Sequence, residues 1–303
     1  MGSKIKWGVA KRLEFIEFRL FWHGRFNRTD IVNTFQISPQ QASNDIAKYK
    51  ENWPNNLEYD EGKRVYLRQP SFQPHLIAQN TDRHLLQLVA IESGWMQKEE
   101  TWYDSPPPME VITLKKKTTN PLILMAVLDA IRECRLLRIY YSSMSGPAYT
   151  WRTIAPHAMV ENSGNWYVRA WSEDHNDFRD YKLSRIQKTE CKEKATIDFS
   201  LDYQWVHQIN LKIVPNPKLP DDQKLAIAEE FEMQDGILTI PVRLSSAFYL
   251  MNQYNLDVEP DVLDEKKQQL VLINGQDISN ARKMARQMSK EALERALPQN
   301  TSE

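Results

Sequence analysis

Residues 139–186 read IYYSSMSGPAYTWRTIAPHAMVENSGNWYVRAWSEDHNDFRDYKLSRI, and this stretch decides the fold of the central part of the chain. Four runs rich in β-branched and aromatic residues are separated by turn signals at residues 145–147, 162–165 and 174–177. The runs are typical of strands, and the Gly, Pro, Asn and Asp clusters between them are typical of turns. Such short strands predict a small antiparallel barrel or a strongly curved sheet.

Side-chain alternation places basic and aromatic residues together on these predicted strands. In the third run, Tyr167, Arg169 and Trp171 share one face, because successive side chains of a strand point to opposite sides. The pattern carries no matching set of carboxylates, and guanidinium groups beside aromatic rings suit phosphates and stacked bases. The alternative is a solvated outer face. The other runs contribute Arg152 and His157 in the second and, on one face of the fourth, Arg179, Tyr181, Leu183 and Arg185.

Three motifs in this stretch resemble those of a WYL domain. They are R-x-I-x-P-H at residues 152–157, G-N-W-Y-V-R at 164–169 and F-R-D-Y-K-L-S-R-I at 178–186. The family is named for a Trp-Tyr-Leu triplet, which here is Trp166-Tyr167-Val168. The resemblance implies an Sm-like barrel whose basic and aromatic pocket senses an anionic ligand, a nucleotide or a short nucleic acid. The predicted ligand-binding residues are Tyr141, Ser143, Arg152, His157, Trp166, Tyr167, Arg169, Arg179 and Arg185.

The N-terminal residues predict three helices. Apolar residues recur at helical spacing over residues 7–22, and Gly24 ends this first helix. A second helix is expected over residues 28–35. The third begins at Ser38, an N-cap residue, with Pro39 at the first position and Gln41 completing a capping box.

The third predicted helix has one apolar face and one polar face. Glutamine and asparagine side chains on a polar helix face can bind adenine edges in the major groove of DNA. The apolar face consists of Ala42, Ile46, Tyr49 and Trp53. The polar face consists of Gln40, Ser43, Asn44, Ala47 and Lys48.

A hairpin with a charged tip at residues 60–63 follows the three helices, and this order predicts a winged helix-turn-helix. The alternative is a small helical domain with a solvated face. Residues 1–70 carry a net charge of +4, and residues 190–303 carry −6. This asymmetry favours a polyanion contact at the N-terminal end. The predicted DNA-binding residues are Gln40, Gln41, Ser43, Asn44, Lys48, Lys63 and Arg64.

The whole chain is predicted to be a multidomain α+β protein. The expected parts are a winged helix-turn-helix over residues 1–70, a linker with a helix over 71–119, a WYL barrel over 120–195 and a C-terminal extension over 196–303. Helix and strand signals alternate in the extension, which predicts a small α/β sandwich. WYL regulators commonly end in such an extension and use it for dimerisation. The layout resembles the WYL repressors of phage-defence loci, including the BrxR and CapW groups.

The sequence contains no motif that indicates an enzyme, a cofactor or a metal site. Its six histidines are scattered, and zinc, phosphate-loop, dinucleotide and serine-hydrolase motifs are absent. No apolar run approaches the ~20 residues of a membrane span, and no signal peptide is visible. Cys134 and Cys191 lie outside any C-x-x-C pattern. We therefore expect a reduced, cytoplasmic protein that is not an enzyme.

Two functions fit these observations. The first is a homodimeric repressor of a phage-defence locus that binds a pseudo-palindromic DNA duplex under control of the ligand. The second is an RNA- or single-strand-binding module that uses the Sm-like barrel as its main site. A specific duplex preference favours the first, and tight single-strand binding without a duplex site favours the second.

Overall fold

The computed structural model describes residues 7–103, 106–114, 117–144, 148–260 and 262–296. The chain forms two compact units, Met1–Lys115 and Lys116–Glu303, which are described separately. The predicted turn at residues 145–147 lies outside the described residues. Within them, no helix has the length and apolar character that crossing a bilayer requires.

The N-terminal unit is a winged helix-turn-helix, as predicted. Three antiparallel strands form a sheet in which Val65–Arg68 lies between Arg25–Phe26 and Leu57–Asp60, so the predicted hairpin gains a short third strand. The first helix ends in a π-helical turn, Arg19–His23, and Gly24 terminates it with a left-handed φ of 73°. The elements are α1 (Trp7–Phe18), β1 (Arg25–Phe26), α2 (Arg28–Phe35), α3 (Pro39–Asn52), β2 (Leu57–Asp60), β3 (Val65–Arg68) and α4 (Thr81–Glu92).

Residues 75–77, which follow the wing in sequence, are hydrogen-bonded to α1. Glu17 on α1 has no exposed surface. One of its carboxylate oxygens accepts the backbone N–H groups of His75 at 2.8 Å and Ile77 at 3.0 Å, as well as that of Leu76. The other oxygen accepts the Tyr49 hydroxyl at 3.0 Å. A buried carboxylate needs such partners, and this one ties three segments of the unit together.

The second unit begins with α5 (Pro121–Glu133) and a five-stranded antiparallel sheet. The strands are β4 (Arg135–Tyr141), β5 (Thr150–Asn162), β6 (Asn165–Ser172), β7 (Asp177–Lys182) and β8 (Ile186–Lys194). Their order is β7-β6-β5-β4-β8, and in the described chain the edge strands β7 and β8 do not pair. The sheet is therefore open, and the predicted closed Sm-like barrel is not confirmed. The fifth strand, β8, was not predicted.

The inner face of this sheet packs against α5. Buried Ile123, Val127 and Ala130 of the helix meet apolar residues of the strands, and Val168 of the Trp-Tyr-Val triplet lies in this core with no exposed surface. Burying such side chains contributes about 1.5–3 kcal/mol each. The apolar periodicity of α5 thus fixes which side of the sheet is the inner face.

The strand register separates the predicted ligand-binding residues onto two faces. Tyr167 and Arg169 lie opposite Lys182 and Asp180, whereas Arg179 lies opposite Ala170. A β-bulge interrupts the pairing of β5 with β6 between Pro156 and Ala158. Arg179 therefore shares the inner face with the core, and Arg169 and Tyr167 are on the outer face. The structure therefore does not bring Arg169 and Arg179 together on one face.

The C-terminal part contains a second, three-stranded antiparallel sheet in which Gln208–Pro215 lies between Leu238–Arg243 and Leu270–Leu272. The elements follow the predicted alternation of helix and strand. Buried Leu211, Leu270 and Ile278 belong to its own apolar core. The elements are α6 (Tyr203–Val206), β9 (Gln208–Pro215), α7 (Asp221–Glu230), β10 (Leu238–Arg243), α8 (Ala247–Gln253), β11 (Leu270–Leu272) and α9 (Gly275–Ala296).

Candidate DNA-reading helix and ligand cluster

Helix α3 is fixed in the N-terminal unit by its cap, its apolar face and one ion pair. The Ser38 hydroxyl accepts the Gln41 N–H at 3.2 Å, and Pro39 occupies the first helical turn. Asp45 is 2% exposed and binds Arg12 of α1, with Nε 2.6 Å from the carboxylate. A buried, charge-assisted contact of this kind sets the orientation of α3. No sequence pattern predicts this contact, since Arg12 and Asp45 lie 33 residues apart.

The exposed side of α3 carries the predicted polar residues. Gln40 donates to Asn44 at 3.1 Å, and Arg28 of α2 donates to the Ser43 hydroxyl at 3.3 Å. The predicted capping box is not formed, because the Gln41 amide donates to Asp45 at 3.1 Å instead. Gln41 therefore supports the ion pair beneath the helix. The side chains that face solvent together are Gln40, Ser43, Asn44, Ala47 and Lys48.

The wing presents two exposed cations, Lys63 and Arg64. The Asp60 carboxylate accepts the Lys63 N–H at 2.9 Å, and this hydrogen bond lowers the pKa of Asp60. Behind the tip, Tyr66 stacks on Phe26 with ring centres 5.0 Å apart. The hairpin is thereby held to β1, and its tip can present Lys63 and Arg64 to a phosphate backbone.

On the outer face of the five-stranded sheet, Arg169 belongs to a buried ion network. It is 3% exposed, and two of its nitrogens each lie 2.8 Å from Asp202. Asp180 accepts from it at 3.3 Å, and the His157 ring lies 3.1 Å from Asp202. Burial alone would raise the pKa of Asp202, but hydrogen bonds from Arg169 and His157 outweigh it and lower that pKa. The expectation that these basic residues have no matching carboxylates was therefore wrong.

Segments that follow the sheet in sequence cover this network. Asp202 immediately precedes α6, and Tyr249 of α8 packs on Tyr167 with ring centres 4.7 Å apart. Tyr249 also donates to Asp180 at 3.0 Å. His157, Tyr167 and Arg169 thus join the sheet to the C-terminal part, and Arg169 has no free face for a ligand.

On the inner face, two arginines converge near one end of the sheet. The Arg152 guanidinium lies 5.9 Å from the centre of the Tyr141 ring. Burial, followed by the positive charges of Arg179 and Arg152, lowers the pKa of His175, while Asp174 and Asp177 oppose the shift. In the described parts of the chain, no carboxylate forms an ion pair with Arg152. The surroundings of His175 are therefore electropositive.

The carboxylate nearest to Arg179, that of Asp177, is hydrogen-bonded to another arginine. Asp177 binds Arg286 of α9 at 3.0 and 2.5 Å, and the Arg179 Nε lies 3.8 Å from the same carboxylate. That buried Nε has no hydrogen-bond partner. Arg179 consequently retains donor capacity that an anion can satisfy.

Hydroxyl groups complete the inner cluster, which we define as Tyr141, Arg152, Ser172, His175, Arg179 and Tyr181. The Tyr181 hydroxyl donates to Ser172 at 2.8 Å, and the Ser172 hydroxyl lies 3.0 Å from the His175 ring. Ser172 and His175 were missed because residues 174–177 were interpreted only as a turn. The signal for His175 was its position two residues before a strand that carries Arg179.

The remaining predicted ligand residues lie outside the inner cluster. Trp166 is 51% exposed near the turn between β5 and β6. The positive charge of Arg185 opposes the rise that burial causes in the pKa of Tyr167. Ser143 is half-buried just after β4. Among the described residues, no group of three or more His, Cys, Asp or Glu side chains could hold a metal ion.

Three family models match the chain in the order that the fold shows. The winged helix-turn-helix domain of the BrxR transcriptional regulator matches residues 8–90, and the WYL domain matches residues 123–191. The C-terminal dimerization domain of the BrxR regulator matches residues 208–278. The same order was predicted from sequence.

Curated relatives match across nearly the whole chain. The DNA-binding transcriptional repressor CapW of Stenotrophomonas maltophilia is 31% identical over 84% of this chain and 86% of its own length. CapW of Pseudomonas aeruginosa is 31% identical over 91% of this chain and 92% of its own length. The chain belongs to the CapW family of DNA-binding transcriptional repressors. CapW of Escherichia coli is 32% identical over 90% of this chain.

Membership of the CapW family accounts for the layout described above. The three matched domains are regulatory, and the CapW relatives are repressors, so the chain is not an enzyme.

Among solved structures, the proteasome accessory factor PafBC of Arthrobacter aurescens aligns with 97% of this chain and 49% of its own, at 15% identity and a TM-score of 0.24.

Proposed function

We propose that this CapW-family protein represses transcription as a homodimer that binds a pseudo-palindromic DNA operator through α3 and the wing. A single winged helix contacts few base pairs, and two-fold pairing doubles the site. The C-terminal α/β part, which we take to be a small sandwich, supplies the dimer contact. We further propose that the protein is cytoplasmic and that its target is a phage-defence locus, in line with the family that its layout resembles.

The observation that carries the DNA-binding proposal is the outer face of α3. Gln40, Asn44 and Lys48 point away from a helix that Arg12 and Asp45 hold in place. Amide side chains in this position can contact base edges, and Lys63 of the wing suits a phosphate. These residues therefore divide into one set that selects sequence and one that supplies affinity.

Binding to the duplex upstream of the protein's own gene tests this proposal. We expect Asn44→Ala to weaken binding by ~1–3 kcal/mol and to relax preference at one base pair. Fluorescence anisotropy with the native and a scrambled duplex measures both effects, and sedimentation of the complex should give two protomers per duplex. The matched control is Gln287→Ala, an exposed helical amide on α9. Equal affinity of wild type and Asn44→Ala for the native duplex would falsify this docking.

We also propose that an anionic ligand, a nucleotide or short nucleic acid, binds the inner cluster and controls DNA binding. The convergence of Arg152 and Arg179 and the unpartnered Arg179 Nε support this assignment. Arg169 and His157 do not belong to the proposed ligand site, because Asp202 already binds both side chains. A tenfold change in DNA affinity requires ~1.4 kcal/mol of coupling, and operator DNA must alter ligand affinity by the same factor.

A further inference from the structure

The outer face of the five-stranded sheet carries a row of contacting aromatic rings that the described residues of the C-terminal part do not cover. Tyr140 of β4 lies opposite Trp151 of β5, with ring centres 5.2 Å apart. Tyr149 stacks on Tyr140 at 5.5 Å and is 44% exposed. We call these three residues the aromatic ladder.

Other aromatic residues on the same face are buried. Trp171 and Phe178 are 7% and 3% exposed, and they pack with Leu293 of α9. Leu136, two residues before Arg138 on β4, still contacts this buried group. The part of the outer face that packs with Leu293 of α9 therefore ends between Leu136 and Tyr140. The aromatic ladder lies beyond it, at the surface. Tyr149 is exposed and Tyr140 and Trp151 are half-buried, and contiguous aromatic surface of this kind marks an interaction site.

Cationic side chains border the aromatic ladder. The Arg138 guanidinium lies 4.6 Å from the centre of the Trp151 ring. Lys188 of β8 is exposed and lies opposite Tyr140. Glu190 accepts from Arg138 at 3.2 Å. The border thus contains more cations than carboxylates, and an approaching phosphate would compete with Glu190 for Arg138.

We propose that the aromatic ladder binds single-stranded nucleic acid. Bases would stack on Tyr149, Tyr140 and Trp151, while Arg138 and Lys188 would contact the backbone. Aromatic platforms bordered by cations bind single strands with little sequence preference, because every base has a flat face. A duplex is excluded because its bases are already stacked on one another. This surface is on the opposite side of the sheet from the inner cluster and does not depend on it.

The test uses the full-length protein and a fluorescein-labelled 12-mer of thymidine. Anisotropy at low salt measures binding, and quenching of tryptophan fluorescence reports stacking on Trp151. We expect Tyr149→Ala with Trp151→Ala to weaken binding at least ~10-fold, while affinity for the duplex operator stays the same. The single change Tyr149→Ala, at an exposed ring, gives a smaller loss and guards against misfolding. The control is Tyr254→Ala, a tyrosine of similar exposure at 41%.

A gain of affinity gives a second, independent readout. Replacing Glu190 with glutamine removes a negative charge and frees Arg138, so Glu190→Gln should tighten oligonucleotide binding roughly two- to fivefold at low salt. Unchanged affinity in Glu190→Gln, together with unchanged affinity in the ladder variant, overturns the proposal.

Two further outcomes reject the aromatic ladder while leaving the repressor assignment intact. If Asn44→Ala abolishes oligonucleotide binding and the ladder variant does not, the strand occupies the winged helix. If Arg152→Ala abolishes it instead, the strand belongs to the inner cluster. The aromatic ladder proposal is also rejected if wild type does not bind the 12-mer at ~100 μM protein, because a contact with a millimolar Kd is only marginal.

Discussion

Arg169 and Arg179 come from neighbouring, paired strands and differ in what surrounds them. Arg169 is buried on the outer face, and Asp202 and Asp180 satisfy its guanidinium. Arg179 is on the inner face, where Arg286 binds the nearby Asp177 carboxylate and the Arg179 Nε has no hydrogen-bond partner. The same residue type therefore holds the fold together on one face and remains available to an anion on the other.

The largest expected effect comes from breaking the outer network. Asp202→Ala leaves Arg169 and His157 buried without their shared carboxylate, which should lower the free energy of unfolding of the second unit by ~3–5 kcal/mol. Chemical denaturation followed by circular dichroism measures the change. Asp198→Ala, an exposed cap on the same segment, is the control and should cost ~1 kcal/mol. Similar losses in both variants would show that the network contributes little.

The inner arginines should give a smaller effect, on binding instead of stability. Arg152→Ala with Arg179→Ala removes two charge-assisted donors, so affinity for a thymidine dinucleotide with one phosphodiester should fall about 100-fold. Isothermal titration measures this loss, and the melting temperature should hardly change. The control Arg132→Ala removes an arginine that is 70% exposed on α5. Retained affinity in the double variant would move the ligand away from the inner cluster.

The smallest effect concerns pH and His175. In the free protein, burial and the charges of Arg179 and Arg152 lower the pKa of His175. A bound phosphodiester offsets those charges and raises this pKa, so binding takes up a proton. Dinucleotide affinity should therefore increase severalfold as pH falls from 7.5 towards 5.5. The phosphodiester keeps its charge over this range. His175→Asn should abolish the dependence, and a slope that persists in this variant would assign it to another group.

The N-terminal unit follows from its sequence because its signals are local. The cap at Ser38, the helix termination at Gly24 and the hairpin at residues 60–63 each depend on neighbouring residues, and each is found in the structure. The predicted linker over residues 71–119 was expected to contain a helix, and α4 is that helix. Local capping and turn chemistry therefore fixed the main elements of the winged helix.

The ligand face could not be predicted in the same way. Alternation assigns faces only within one uninterrupted strand, and the β-bulge after Pro156 breaks that condition. Relative faces of β6 and β7 depend on register, which no single strand encodes. Asp202, the partner of Arg169, lies 33 residues further along the chain. A contact at that separation leaves no periodic pattern, so a buried ion network resembled a binding pocket.

The Glu17 carboxylate has a practical consequence for dissecting the molecule. A fragment that stops at residue 70 would keep the whole helix-turn-helix and wing, yet it would remove the three N–H donors at residues 75–77. Trp102 would also be lost. It packs on the same core, and its carbonyl oxygen accepts a hydrogen bond from the Arg19 guanidinium at 3.3 Å. An excised DNA-binding half therefore has to extend beyond Trp102, and shorter pieces should be prone to proteolysis even though they contain every predicted base contact.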